Sequence, residues 1–447
     1  MPADEANLAE RAAAVLRAND LGGWTKAAPR LYPHQWSWDS AFIAIGLAHL
    51  DPARALRELE TLFAAQWATG MVPHIVFNPA VPAGSYFPDA GRWACAGLAT
   101  AAPSAAPYTS GICQPPVHAI AVRHIWEIAR QRGQAEAEAV QVRLRGLHPR
   151  LFAWHRYLAT ARDPEGSGLV TIYHPWGSGM DNSPRWDGAM AAVTVGDLEP
   201  YERADLKHVA DASQRPTKAE YDRYLWLVER LKAARYDDVA IQQDYPFLVK
   251  DVFFSAIFVA ANEALLDLAD VCAAPDGERA AIAGWRDRGR RALAERWDDE
   301  LGLCLDLDVI TGAPVRVRTI AGFAPFVAGG LAEDRLTALL ANFDGSGFVG
   351  HSDLRWAVPP STSPDDPAFR PRFYWRGPTW PVITWLFWWS LRRNGLEARA
   401  ACLRRAALDQ LAAVGFAEYC EPFTGEPLGS ADQSWTAAVA LDWLAHG

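Results

Sequence analysis

The chain has 447 residues, half of them apolar and 21% charged, with a formal net charge of −10. That length and composition describe a globular protein with a large core and exclude a disordered one. The acidic balance, with no basic stripe, excludes nucleic acid as a partner, and an anionic ligand would need a local cationic pocket.

In chain order, Met1-Pro2-Ala3-Asp4-Glu5 lacks the basic and apolar regions of a signal peptide. Helical periodicity then dominates, first at 4–18 and 38–50. Over 51–68, Asp51 is placed to cap and Pro52 to take the first helical position. Leu56, Leu59, Phe63 and Trp67 follow at spacings of three and four, making one apolar face. Similar segments lie at 116–132, 143–161, 219–234, 251–273, 279–298, 332–342, 379–394, 396–413 and 433–445. One hairpin is expected where Leu303 to Val309 alternates between Gly302 and Thr311-Gly312.

About twelve helices with little strand predict an all-α fold, an (α/α)6 barrel of six helical hairpins closed into a toroid, with one domain over 1–447. The non-helical stretches 70–115, 163–218 and 344–378 are too long for idle connections and should build sites or lids. No run of about eighteen apolar residues occurs, so no membrane span is expected. Cys95, Cys113, Cys272, Cys304, Cys402 and Cys420 are scattered without a C-x-x-C pair. Reduced thiols in a cytoplasmic protein fit that usage.

Two patterns lead nowhere. Gly345 to Gly350 spells G-x-G-x-x-G but follows a helix instead of a strand, which removes the dinucleotide reading. His118 and His124 stand six apart on one helix, a spacing that does not put two ligands on one face. No metal or cofactor is expected.

The segment His174-Pro175-Trp176-Gly177-Ser178-Gly179-Met180-Asp181-Asn182-Ser183-Pro184 is different. Glycine and proline exclude a helix interior or sheet core, and one carboxylate, Asp181, stands five residues after an aromatic ring. Tryptophan beside a carboxylate on a turn suits stacking a sugar and protonating its glycosidic oxygen. An Asx turn, with Asp181 and Asn182 bonding local backbone, accounts for the same residues. Twenty tryptophans, many beside polar residues, favour sugar stacking; the run Trp385 to Trp389 reads as core. Glycosidic cleavage uses two carboxyl groups. The second is sought in Phe416 to Pro427, where Glu418, Glu421 and Glu426 are not separable by chemistry, with Asp187 and Asp251 as weaker competitors.

The chain resembles the bacterial branch of glycoside hydrolase family 63, the glucosylglycerate and mannosylglycerate hydrolases, and among these the actinobacterial glucosylglycerate hydrolases most. The likeness runs through Leu31 to Asp39, Gly111 to Pro116, Trp176 to Pro184 and Ser213-Gln214-Arg215-Pro216. It continues through Glu220 to Tyr224, Tyr374 to Trp380, Phe416 to Tyr419 and Ser430 to Trp435. It implies an (α/α)6 barrel and inverting hydrolysis, with Asp181 as general acid and Glu418 as general base. An inverting pair should stand roughly 6.5–9.5 Å apart, leaving room for a water.

By the same likeness Tyr32, Trp36, Trp38 and Asp39 begin the sugar pocket, and Gln114, Trp176, Gly179, Tyr374, Trp375, Trp380 and Gln433 complete it. Arg215 and Tyr221 would meet the carboxylate of glycerate, for which a guanidinium fork is well shaped. They lie in or beside the polar segment 187–221, read as a lid that orders on the anion. The implied substrate is α-glucosylglycerate, split to glucose and glycerate, with mannosylglycerate as a second candidate. Competing readings are an α-glucosidase for neutral oligosaccharides or glucosylglycerol, and a sugar-binding toroid without turnover. A homo-oligomer stays open.

Overall fold

The computed structural model of the chain describes residues 3–82, 84–98, 100–101, 108–203, 206 and 215–446. In chain order the helices are α1 (Ala3–Asn19), α2 (Ser37–Leu50), α3 (Pro52–Ala64), α4 (Ala90–Trp93), α5 (His118–Arg132), α6 (Gln134–Thr160), α7 (Asp187–Ala191) and α8 (Lys218–Ala233). They continue with α9 (Asp238–Gln243), α10 (Val252–Asp267), α11 (Asp276–Glu295), α12 (Ala324–Ala328), α13 (Glu333–Phe343), α14 (Pro381–Arg393), α15 (Glu397–Val414) and α16 (Ser434–Ala445). At the start of α3 the Asp51 carboxylate accepts from the amides of Ala53 and Arg54 at 2.8 and 3.1 Å. It thereby satisfies donors that a helix start leaves open.

Six helices close a ring: α2 packs on α5, α5 on α10, α10 on α12, α12 on α14, α14 on α16, and α16 back on α2. Outside them lie α3 on α2, α6 on α5, α11 on α10, α15 on α14 and α1 on α16. Helix α13 sets Phe343 against Phe326 of α12. This is an (α/α)6 toroid. The inner staves α2, α10, α14 and α16 are buried on nearly every side, which is why they read as almost wholly apolar. Trp385, Trp388 and Trp389 are core residues of α14.

One expected helix and one unexpected helix change the ring's make-up. The helix expected at 219–234 forms as α8 but stands outside the ring, beside the cavity described below. The twelfth stave is α12, whose five residues follow a 3₁₀ turn at Ile320–Phe323. Gly322, Pro325, Gly329 and Gly330 punctuate it, so no periodic run forms to announce it.

Short strands brace the loops: β1 (Gln35–Trp36), β2 (Ile75–Val76), β3 (Thr171–Ile172), β4 (Val249–Lys250), β5 (Trp297–Asp298), β6 (Leu303–Cys304), β7 (Leu307–Asp308), β8 (Tyr419–Cys420) and β9 (Pro427–Leu428). The expected strand 303–309 is split. Its first half pairs with β5 and its second half with β4, while the Asp306 carboxylate between them binds buried Arg185. All six cysteines are free and five are buried. Among the described residues no helix is long and apolar enough to cross a membrane.

Candidate active site

The segments that lead into α2, α5, α14 and α16 contribute to one cavity of about 1050 Å³, measured out to its solvent mouth.

Glu418 lines this cavity and is 1% exposed. It directly precedes β8, whose pairing with β9 sets Tyr419 opposite Leu428. One carboxylate oxygen accepts from the Tyr32 hydroxyl at 2.8 Å and from that of Tyr374 at 3.4 Å. The other accepts from the Ser430 amide at 2.9 Å. Gly429 makes that approach feasible: at φ +73 it adopts a backbone region hostile to other residues, and a Cβ there would lie 2.4 Å from the Glu418 oxygen. The other glutamates of the loop are occupied elsewhere. Glu421 accepts from the Phe423 amide and the Thr424 amide and hydroxyl, and exposed Glu426 pairs with Arg372.

Asp181 lines the same cavity. His174 starts its loop by accepting the Trp176 amide at 3.0 Å, and a 3₁₀ turn follows over Pro175–Ser178. The turn ends at Gly179, with φ +75, where a Cβ would come within 2.6 Å of the Trp38 ring. The Tyr224 hydroxyl donates to the Asp181 carbonyl at 3.1 Å. Burial pushes the Asp181 carboxyl up, to about 7, with the Arg215 guanidinium opposing and the Glu418 charge reinforcing the rise. Asp39, in the first turn of α2, is also held well above the usual carboxylate range by burial, then by Glu418 and Asp181. The weaker competitors stand apart: Asp251 caps α10 and bonds Arg185, and Asp187 pairs with Arg376 at a neighbouring cavity.

Aromatic rings make the walls. Tyr32, Trp36, Trp38, Trp176, Tyr221, Tyr374 and Trp375 line the cavity, together with Gln114, Gly179 and Gln433. Trp380, expected among them, does not. It stacks behind Trp375 at 3.6 Å with planes 2° apart, and its other face meets Tyr419 at 4.5 Å. It backs the wall without forming it, because the ring in front is already a tryptophan of the same orientation.

Arg215 is 7% exposed and lines the cavity, its guanidinium 4.7 Å from the centre of the Tyr374 ring. Its terminal nitrogens donate to the Tyr32 hydroxyl at 3.4 and 3.5 Å, and its Nε has no acceptor among the described residues. No carboxylate among the described residues pairs with it. Ser213 and Gln214, and most of 204–214 within the expected lid, lie outside the described residues.

His74, Tyr86, Phe87, Tyr224 and Trp435 line the cavity too and were not singled out in the sequence. Signals for two existed: Tyr224 follows Tyr221 by three on α8, hence on the same face, and Trp435 ends the Ser430–Trp435 segment. Tyr86-Phe87-Pro88 is an aromatic cluster in a long non-helical stretch, and nothing in its pattern distinguishes it from loop packing. Among the described residues no three His, Cys, Asp or Glu side chains converge as a metal ion needs.

A family model for the mannosylglycerate hydrolase MGH1-like glycoside hydrolase domain matches residues 32–436. The chain is 52% identical to a glucosylglycerate hydrolase of Mycolicibacterium hassiacum over 437 residues, 98% of this chain and 97% of that protein. It is 42% identical to a mannosylglycerate hydrolase of Thermus thermophilus, over 97% and 99% of the two. The crystal structure of a family 63 mannosylglycerate hydrolase from Thermus thermophilus, in complex with Tris and D-glycerate, superposes with a TM-score of 0.88 at 40% identity, covering 98% of this chain and 99% of that one.

Proposed function

The chain belongs to the MGH1-like mannosylglycerate hydrolase family of glycoside hydrolases, and from that premise we propose that it is an inverting hydrolase of α-glucosylglycerate that also accepts mannosylglycerate. One observation carries the choice of an acidic aglycone: Arg215 is a buried guanidinium in the cavity that forms no ion pair with a carboxylate among the described residues. An unpaired buried charge costs several kcal/mol, and the carboxylate of glycerate supplies the missing partner through two parallel bonds. A neutral oligosaccharide or glucosylglycerol leaves that cost standing.

In the mechanism, Asp181 is the protonated acid. Its proton passes to the glycosidic oxygen as the bond from that oxygen to the anomeric carbon breaks, and glycerate leaves as the alcohol. Glu418, anchored by Tyr32 and Ser430, takes a proton from a water on the opposite face of the ring. That water attacks the anomeric carbon, so an α-glycoside releases the β-anomer. Burial that keeps Asp181 protonated near neutrality supports its role as the donor. The aromatic walls exclude water from the developing cation and stack on the sugar. Arg215 and Tyr221 line the cavity together and hold the aglycone's carboxylate. Free thiols throughout fit a cytoplasmic enzyme.

The test is a hydrolysis panel of glucosylglycerate, mannosylglycerate, glucosylglycerol and kojibiose with native protein and Arg215→Ala. The native protein should prefer the two glycerates. Losing a charge-assisted bidentate contact should cut kcat/KM on glucosylglycerate by about 10²-fold or more and leave glucosylglycerol within a few-fold. Equal effects on both substrates would show that Arg215 is structural and the substrate neutral. Absence of turnover on all four would favour a sugar-binding toroid.

A further inference from the structure

Arg185 lies four residues beyond Asp181, is 2% exposed and does not line the cavity. Its guanidinium forms a two-point bond with Asp306, Nε and a terminal nitrogen each reaching a carboxylate oxygen at 2.7 Å. It also bonds Asp251 at 2.5 Å and the Met180 sulfur at 3.7 Å, and lies 4.3 Å from the Trp186 ring centre. Asp251 caps α10 through the amides of Phe253 and Phe254. Asp306, between β6 and β7, accepts the Val252 amide at 2.9 Å. One arginine therefore ties the loop bearing Asp181 to a barrel stave and to a strand connection.

The turn itself is gripped from both ends. The Met180 carbonyl accepts from the Ser183 amide at 3.0 Å and the Trp186 indole at 2.9 Å, while Asn182 accepts the Trp375 amide at 2.8 Å. A buried cation between two carboxylates is an expensive way to stabilise a fold, since apolar side chains of equal volume do as well or better. Its distinctive property is direction: the planar fork has a fixed geometry that lysine lacks.

We propose that Arg185 is a positioning residue for catalysis, its fork on Asp306 and Asp251 setting where the Met180–Trp186 turn holds the Asp181 carboxyl relative to the glycosidic oxygen. The proposal rests on the reading of Asp181 as the acid. An error of about 1 Å in a reacting group costs up to roughly 10²-fold in rate, so a loosened anchor should show in chemistry before it shows in folding.

The experiment compares kcat on α-glucosylglycerate with kcat on α-glucosyl fluoride, whose leaving group departs without a proton donor. Arg185→Lys, which keeps the charge but not the fork, should lose about 10- to 100-fold on glucosylglycerate and less than about threefold on the fluoride. Asp306→Asn, which keeps an acceptor for Val252 and a neutral Arg185–Asp251 pair, should show the same selectivity more mildly. It decides the matter if Arg185→Lys does not fold. Equal losses on both substrates, or none on either, in a folded variant would overturn the positioning role. Asp181→Asn is the reference: it should be far more damaging on glucosylglycerate than on the fluoride. If it is not, the acid assignment falls, and the role of Arg185 falls with it.

Discussion

Asp181 carries the sharpest single-residue consequences. As the proposed acid it must carry its proton, and with its pKa at about 7, kcat/KM on glucosylglycerate should fall roughly tenfold per pH unit above neutrality. Because the Arg215 cation opposes the rise, Arg215→Ala should move that alkaline limb to higher pH while lowering the plateau. An unmoved limb would mean that another group controls it. Stability follows the same titration. The folded-state pKa stands above the ordinary 3.8, so between about pH 4 and 7 the unfolded chain gives up a proton that the folded protein keeps, and stability falls as pH rises. Asp181→Asn should therefore be the more stable protein at pH 8, by up to roughly 4 kcal/mol, with the gap closing by about pH 4. Urea unfolding at the two pH values reads this directly. Sequence chemistry reached Asp181 through its glycine- and proline-marked loop, but could not separate Glu418 from Glu421 and Glu426. All three sit in one turn-rich segment, and only tertiary placement sends Glu418 to Tyr32 and the others to a local turn and to Arg372.

At the level of elements, the β8–β9 hairpin is to Glu418 what the Met180–Trp186 turn is to Asp181. Its geometry depends on Gly429, where a Cβ would collide with the Glu418 carboxylate and with the Tyr419 ring at 2.5 Å. Gly429→Ala should cut kcat by about 10- to 100-fold while the midpoint of thermal unfolding drops only a few degrees, as suits a strain of roughly 1–2 kcal/mol at one left-handed position. An active variant would show that the loop relaxes without moving Glu418. Elements were legible where a long periodic run made them: α2, α3, α5, α10, α14 and α16 all follow apolar spacing or outright apolarity. Helix α12 was not, because five residues between glycines cannot show a period of 3.6. The split at Asp306 was equally hidden. Strand alternation records which face is buried, and here the inward face ends on an arginine contributed from a distant loop.

For the whole molecule, ring closure makes the site a property of both chain ends. Asn19 at the end of α1 bonds the Ser434 hydroxyl at the start of α16, and α16 packs against α2, which carries Trp38 and Asp39. Sequence separation is thus no guide to proximity here, and the toroid was inferable from helix number, the lack of strands and the family resemblance. Overall charge makes a further difference to function. The protein carries −10 and its proposed substrate is an anion, while Arg215, the cation proposed to receive it, is buried. Surface charges are screened as the Debye length falls from about 30 Å at 0.01 M to about 8 Å at 0.15 M salt, whereas a buried partner is screened far less. Added salt should therefore remove repulsion more than it weakens the Arg215 contact. The expected result is a kcat/KM for glucosylglycerate that rises by up to a few-fold over that range, with neutral glucosylglycerol as a flat control on the same preparation. A fall with salt on the anionic substrate alone would show that a positive field around the cavity mouth outweighs the net charge, and that substrate is steered in instead of having to overcome the protein's own surface.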